Sequence, residues 1–222
     1  MRIKYLNLVF IIFLISITSN FIYSQNTINI DSVKNVINAL PNDTSKVNKI
    51  NDFVWSIKMS NFNDAIEYGT QSYELAKQLN YTKGIAYATK NLGAVYYYAS
   101  DNKNAYDYYK ISLDAFKKMN DKKGIAIAYR NLGNVSFNIA DWKQALDYYL
   151  KSLAIREEIG DKKGVAAVND AIGLVYSSYK ERDFKTPAEY HRKALKINKE
   201  LNDQYGIATS YLYLGRNYYT KY

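Results

Sequence analysis

Apolar residues along this chain recur three and four positions apart in segment after segment, with short polar breaks between, and that period predicts helices. From about Lys122 to Ile139, Ile125, Ala128, Leu132 and Val135 fall on one stripe. After Asp141 a second stripe, Ala145, Leu146, Tyr149, Leu153 and Ile155, runs to about Ile159. Asp121 and Asp141 are placed to cap the two helices through the unpaired amides of the first turn, with Gln144 as a capping-box partner. Neither helix can bury its stripe alone.

The same pattern returns at a fixed interval. Lys83-Gly84-Ile85-Ala86 reappears at Lys123, at Lys163 and, as Tyr205-Gly206-Ile207-Ala208, at Tyr205, offsets of 40, 40 and 42 residues. Leu92-Gly93, Leu132-Gly133, Ile172-Gly173 and Leu214-Gly215 follow, then Tyr108, Tyr148 and Tyr190, then Leu113, Leu153 and Leu195. A period of this length marks stacked supersecondary units, so the expected fold is all-α, a solenoid of antiparallel helix pairs. The units are 83–122, 123–162 and 163–204, preceded by a degenerate unit at 44–82 and followed by a half unit at 205–222.

Val47, Ile50, Phe53, Val54 and Ile57 mark the first helix of the degenerate unit, and Ala65, Tyr68, Ser72, Tyr73 and Leu75 its second. Within 26–43, Ile30, Val33, Ile37 and Leu40 predict a short helix after Asp31, stopped by Pro41 and suited to capping the array. Mid-helix glycine costs about 1 kcal/mol relative to alanine, so Gly93, Gly133, Gly173 and Gly215 imply close approach of the paired helix, with Ala105 and Ala145 as the small facing surface. In the third unit Pro187 stands where alanine is expected. Thr186-Pro187-Ala188-Glu189 reads as a cap, a first-turn proline and a capping box, so that helix should start later. The last segment carries Tyr211, Leu212, Tyr213, Leu214, Tyr218 and Tyr219, more apolar surface than an end facing water should show. The expectation is that the array does not end at Tyr222: it continues, or this helix pairs with another molecule, self-association included.

Residues 1–25 stand apart. Arg2 and Lys4 precede an unbroken apolar run from Leu8 to Ile15, and Thr18 to Gln25 turns polar again, the three-part order of a secretory signal. The run is shorter than the ~20 residues that span a bilayer. The expectation is cleavage near Asn26 and a periplasmic or secreted product, with membrane anchoring as the competing reading.

Composition narrows the chemistry. There is no cysteine, which excludes disulfides, thiolate catalysis and lipoprotein anchoring; 24 tyrosines and only two prolines favour helices with aromatic packing. The formal charge of +9 includes Arg2 and Lys4, and the other lysines alternate with acids in the manner of solvated faces, so no nucleic-acid partner is expected. His191, the single histidine, occupies the position of Tyr109 and Tyr149 and reads as a partly buried helix residue, not a metal ligand. No catalytic constellation, metal site or cofactor is expected.

The order Leu-Gly, tyrosine three residues on, then Ala and an aromatic in the next helix resembles the tetratricopeptide repeat in a form of about forty residues. Leu92, Gly93, Tyr96, Ala105, Tyr109 and Ser112 carry the motif in one unit, and Leu132, Gly133, Ala145, Tyr149 and Ser152 in the next, where Ser136 replaces the tyrosine. The likeness covers about residues 44–222 and implies a right-handed superhelix that binds rather than catalyses. The stretch from Leu40 to Gly93, after a signal sequence, also resembles the exported sensor region of bacterial membrane histidine kinases and cyclases.

In that family the ligand lies along the first helices. The corresponding positions here, expected to be exposed, are Tyr87, Lys90, Asn91, Ala94, Tyr97 and Tyr98, then Ile127, Arg130, Asn131, Asn134, Phe137 and Asn138. Of these, Lys90, Asn91, Tyr97, Tyr98, Arg130, Asn131, Asn134 and Phe137 are the candidate ligand-binding residues. Asn91 and Asn131 each precede the Leu-Gly pair, and an asparagine amide can pair with both the N–H and the C=O of an extended backbone. Lys90 and Arg130 add attraction for a carboxylate. Plain surface polarity is the competing reading, and Ala171 and Tyr213 interrupt the asparagine series. The expected partner is a protein or peptide segment in a concave groove; the alternatives are the input region of a sensor kinase or cyclase and a carbohydrate-binding solenoid that uses the tyrosines.

Overall fold

The computed structural model describes residues 30–179 and 183–219, so the expected signal segment lies outside the described residues. The chain divides into one unit up to Pro41 and a second from Asn42 onward. The first contains helix α1 (Ile30–Ala39), with Asp31 in its first turn and Ile37 buried.

The second unit is a succession of helix pairs: α2 (Thr44–Ile57) with α3 (Phe62–Gln78), α4 (Thr82–Tyr98) with α5 (Asn102–Lys118), α6 (Lys122–Asn138) with α7 (Trp142–Glu158), and α8 (Lys162–Tyr179) with α9 (Lys185–Glu200). Helix α10 (Gln204–Tyr219) packs on α9 and, across the stack, on α8, as α4 packs on α2. No strand occurs among the described residues, and none of their helices is long and apolar enough to cross a membrane.

Three-residue connections suffice because each helix end and the next start are prepared locally. Asn80, Ser100, Asn120, Ala140, Gly160 and Asn202 all take left-handed φ between 51° and 69° just past a helix. There the chain turns back on itself: Asn120 N donates to Lys117 O and Asp121 N to Phe116 O, both at 3.0 Å, satisfying carbonyls that the helix end leaves open. The following aspartate then caps. Asp121 accepts from Gly124 N at 2.9 Å and Asp141 from Gln144 N at 3.0 Å, as the spacing predicts.

Two local expectations need correction. The Gln144 side chain does not close a capping box; its Oε1 accepts from the buried Ser136 hydroxyl at 2.9 Å, a partner that exists only because α6 and α7 are paired. Helix α9 starts at Lys185, and Thr186 is not its cap. Instead Thr186 N donates to the Asp183 carboxylate at 3.0 Å, which leaves Pro187 in the first turn, where its missing N–H costs little.

The core is built between helices of a pair. Leu92, Leu132 and Ile172 are fully buried, and a serine in the second helix ties it to the first: Ser112 Oγ donates to Ala86 O at 2.9 Å and Ser152 Oγ to Ala126 O at 2.7 Å. The mid-helix glycines make room for rings rather than for small residues. A Cβ on Gly93 or Gly133 would lie 2.6 Å from the ring of Tyr109 or Tyr149, and one on Gly173 would lie 2.5 Å from that of His191. Ala105 and Ala145 are buried in the same pairs but do not meet the glycines most closely. Gly215 differs: a Cβ there would meet nothing within 4 Å.

Candidate ligand-binding groove

The first helices of successive pairs line two cavities. The larger, about 430 Å³, has Tyr97 of α4, Arg130, Asn134, Phe137 and Asn138 of α6, Asp170 and Leu174 of α8, and Tyr205 and Tyr213 of α10 on its walls. These residues come from the first helices of three successive pairs and from α10.

Tyr149 reaches this cavity past Gly133, and its hydroxyl donates to Asn134 Oδ1 at 2.8 Å. Burial pushes the Tyr149 phenol far above its ordinary pKa, so it keeps the proton it donates. Asn134 therefore presents its amide N–H groups to the groove. Tyr97 OH lies 3.5 Å from Asn138 Oδ1. Arg130 is half-buried and forms no ion pair among the described residues. Farther along, Lys163 pairs with Asp203 at 2.8 Å, and this lysine together with the Gly206 amide holds the Asp203 carboxyl below the usual range.

Asp170 is already committed to the protein. Its Oδ1 lies 2.9 Å from His191 Nδ1, and its Oδ2 accepts from Ser210 Oγ at 3.0 Å, which in turn accepts from Asn198 Nδ2 at 3.2 Å. His191, expected to be partly buried, is 1% exposed. Its ring fills the space at Gly173 that tyrosine fills in earlier pairs, and the buried polar chain supplies the partner that imidazole needs and a phenol ring would not.

The smaller cavity, about 380 Å³, lies between α2 and α4, lined by Asn48, Asn51, Asp52 and Trp55 on one side and Lys83, Tyr87, Lys90 and Asn91 on the other. Lys90 Nζ sits 4.6 Å from the Trp55 ring centre and 4.9 Å from that of Tyr87, while Lys58 Nζ is 3.8 Å from the Trp55 ring centre. Burial, and then the Lys58 charge, lower the Lys90 pKa, with Asp52 offsetting part of the effect.

Among the candidate residues, Tyr97, Arg130, Asn134 and Phe137 come together in the larger cavity, and Lys90 and Asn91 in the smaller. Tyr98 is largely exposed, edge-on to Tyr97 at 5.7 Å, and Asn131 is half-buried; neither lines these cavities. Exposure of Asn91 and Ala94 is corrected, since both are buried. Asn91 Nδ2 donates to the Asn51 carbonyl at 2.8 Å, so its amide holds α4 to α2, and its Oδ1 is buried without a hydrogen-bond partner.

Sequence reasoning missed Trp55, Asp170 and Tyr205 as groove residues. A signal existed for two of them. Asp170 stands forty residues after Arg130 and eighty after Lys90, the same position with reversed charge, and Trp55 follows Asn51, which begins the series Asn51, Asn91, Asn131.

Residues 126–163 match a family model for the tetratricopeptide repeat. No curated protein matches the chain. Among solved structures, BtubC (BKLC) from P. vanneervenii is similar at a TM-score of 0.69 and 17% identity, over 86% of this chain and 79% of that one. The signal transduction ATPase with a tetratricopeptide repeat sensor from Pyrococcus horikoshii gives 0.75 at 14% identity over 85% of this chain and 29% of that one. Aspartyl phosphate phosphatase F from Bacillus subtilis gives 0.68 at 14% identity over 80% and 44%. The present chain thus spans less than half the length of the last two. The likenesses agree with the helix pairing in assigning a tetratricopeptide-like α-solenoid.

Proposed function

We propose that this chain is a protein- or peptide-binding module that holds an extended segment along its first helices, without catalysis, as the sensory or scaffolding part of a cell-envelope signalling system. The observation that carries this reading is Arg130: a half-buried residue with no ion pair among the described residues, in the wall of the 430 Å³ cavity. A cation so placed has given up part of its hydration without a protein partner, and a carboxylate from a bound segment restores the balance.

Asn91 Oδ1 supports the same conclusion at the other cavity. It is a buried acceptor without a donor, which a backbone N–H of an extended segment supplies. The aromatic walls bury apolar side chains of the segment. Export rests on the charged start and the apolar run from Leu8 to Ile15. A second reading, the input region of a larger sensor protein, is favoured by the similarity to the Pyrococcus horikoshii ATPase, whose tetratricopeptide repeats are described as its sensor.

Affinity selection of displayed random decapeptides against residues 26–222 tests the proposal. The expected result is an enriched family of acidic segments that lose about tenfold or more in affinity for Arg130→Ala, with helix content unchanged. Failure to enrich any segment, or wild-type affinity in both Arg130→Ala and Phe137→Ala, would remove the groove as the site.

A further inference from the structure

Lys90 lies in the wall of the smaller cavity, about 380 Å³, between α2 and α4. It is half-buried, and its side chain forms no ion pair among the described residues. Its Nζ instead lies against two rings of the same cavity, 4.6 Å from the centre of Trp55 and 4.9 Å from that of Tyr87. Both rings keep open surface, at 48% and 37% exposure.

A second ammonium stands on the same indole. Lys58 Nζ is 3.8 Å from the Trp55 ring centre and donates to the Trp55 carbonyl at 3.0 Å, which fixes its charge there. The indole attracts an ammonium, but here it serves two at once. Of the two lysines, Lys90 is the one without a hydrogen-bond acceptor to hold its proton. Partial desolvation and a neighbouring cation are the two conditions that make a lysine amine nucleophilic near neutral pH. The lowered Lys90 pKa, caused by burial first and by Lys58 second, agrees with that geometry. At the same repeat position the later first helices carry Arg130, Asp170 and Leu212, none of which can offer a neutral amine.

We propose that Lys90 is a covalent capture site for a small aromatic aldehyde that bears an anionic group. The rings of Trp55 and Tyr87 pack against the ring of the aldehyde, and Lys58 and Lys83 attract its anionic group. The Nζ lone pair forms a bond to the carbonyl carbon as the C=O π pair moves to oxygen, and a proton passes from nitrogen to that oxygen through water. The nitrogen pair of the resulting carbinolamine then forms C=N as the hydroxyl departs, taking the second amine proton to leave as water. Amine and aldehyde thus give an imine and one water, with no oxidation or reduction and no co-reactant. The capture is reversible by hydrolysis. The inference does not rest on the peptide-binding reading, and its test contains no peptide.

The probe is pyridoxal 5′-phosphate, mixed with the full chain at pH 7. The imine is reduced with borohydride and the labelled lysine located by peptide mass spectrometry. Lys90 should be labelled about tenfold faster than the exposed Lys103 and Lys143, because packing between the rings and a free amine both favour it. 5-Deoxypyridoxal, with the same ring and aldehyde but no phosphate, should label Lys90 about threefold or more slowly. In Lys58→Met the pH profile of Lys90 labelling should move to higher pH, a change that a merely structural role of Lys58 would not produce. Lys90→Arg should keep its helix content and lose the label on α4. Labelling of Lys90 no faster than of Lys103 and Lys143, preferential labelling of Lys58 or Lys83, equal rates for the two aldehydes, or an unmoved pH profile in Lys58→Met overturns the inference.

Discussion

The Asn91 side-chain amide donates to the Asn51 main-chain carbonyl at 2.8 Å, across a separation of forty residues that is the repeat length itself. One asparagine thus joins the first helices of two successive pairs beside a cavity, and its Oδ1 is buried without a hydrogen-bond donor.

Asn91→Ala should therefore cost stability even in the absence of ligand. Losing this bond and exposing the Asn51 carbonyl to an apolar neighbour is worth about 1–2 kcal/mol. Asn131→Ala, at the same repeat position but without a hydrogen bond to a neighbouring helix, should change stability by less than about 0.5 kcal/mol. Urea denaturation of the two variants side by side checks the contrast; equal losses would mean that the interhelical bond contributes nothing.

The glycines give a sharper contrast of sign. Gly133→Ala places a methyl group 2.6 Å from the Tyr149 ring and should destabilise the chain by about 1–3 kcal/mol. Gly215→Ala meets open space and should stabilise by up to about 1 kcal/mol through helix propensity. Thermal melts of both variants decide it, and destabilisation by Gly215→Ala would reveal a contact on α10 that the described fold lacks.

Lys90 should lose its proton at lower pH than an ordinary lysine, since burial and Lys58 both disfavour its charge. Its folded-state pKa lies below the unfolded value, so the unfolded chain binds more protons between the two, and this residue's contribution to stability rises as pH increases through that window. Affinity for an acidic segment should fall over the same window. Lysine Nζ resonances followed by NMR check the order: Lys90 should titrate early, earlier still in Asp52→Asn and later in Lys58→Met. An Lys90 titration unaffected by both variants would contradict the assigned causes.

Most of the fold was legible because it depends on local signals repeated in register. Helical period, aspartate caps and mid-helix glycines all recur at forty residues, and no distant contact is needed to place a helix pair. What was not legible depends on neighbours across the stack. The sequence pattern put Asn91 on the ligand face, yet its amide is held by a carbonyl of another helix pair, and Gln144 is taken from its cap by Ser136. Trp55 was hidden because the unit holding it has lost the Leu-Gly signature, although its asparagine stayed in step. Asp170 was overlooked because reversal of charge breaks a search for like residues.

Site-specific photocrosslinking tests the central claim most directly. A benzophenone amino acid replaces Phe137, which lines the larger cavity, or Leu150, 44% exposed on a second helix, and each variant is irradiated in the presence of an acidic decapeptide selected on the wild-type chain. The account predicts crosslinking from position 137, suppressed by excess unlabelled peptide and by Arg130→Ala, with little from position 150. Crosslinking of equal yield at both positions, or at 150 alone, would show that the segment does not lie along the first helices.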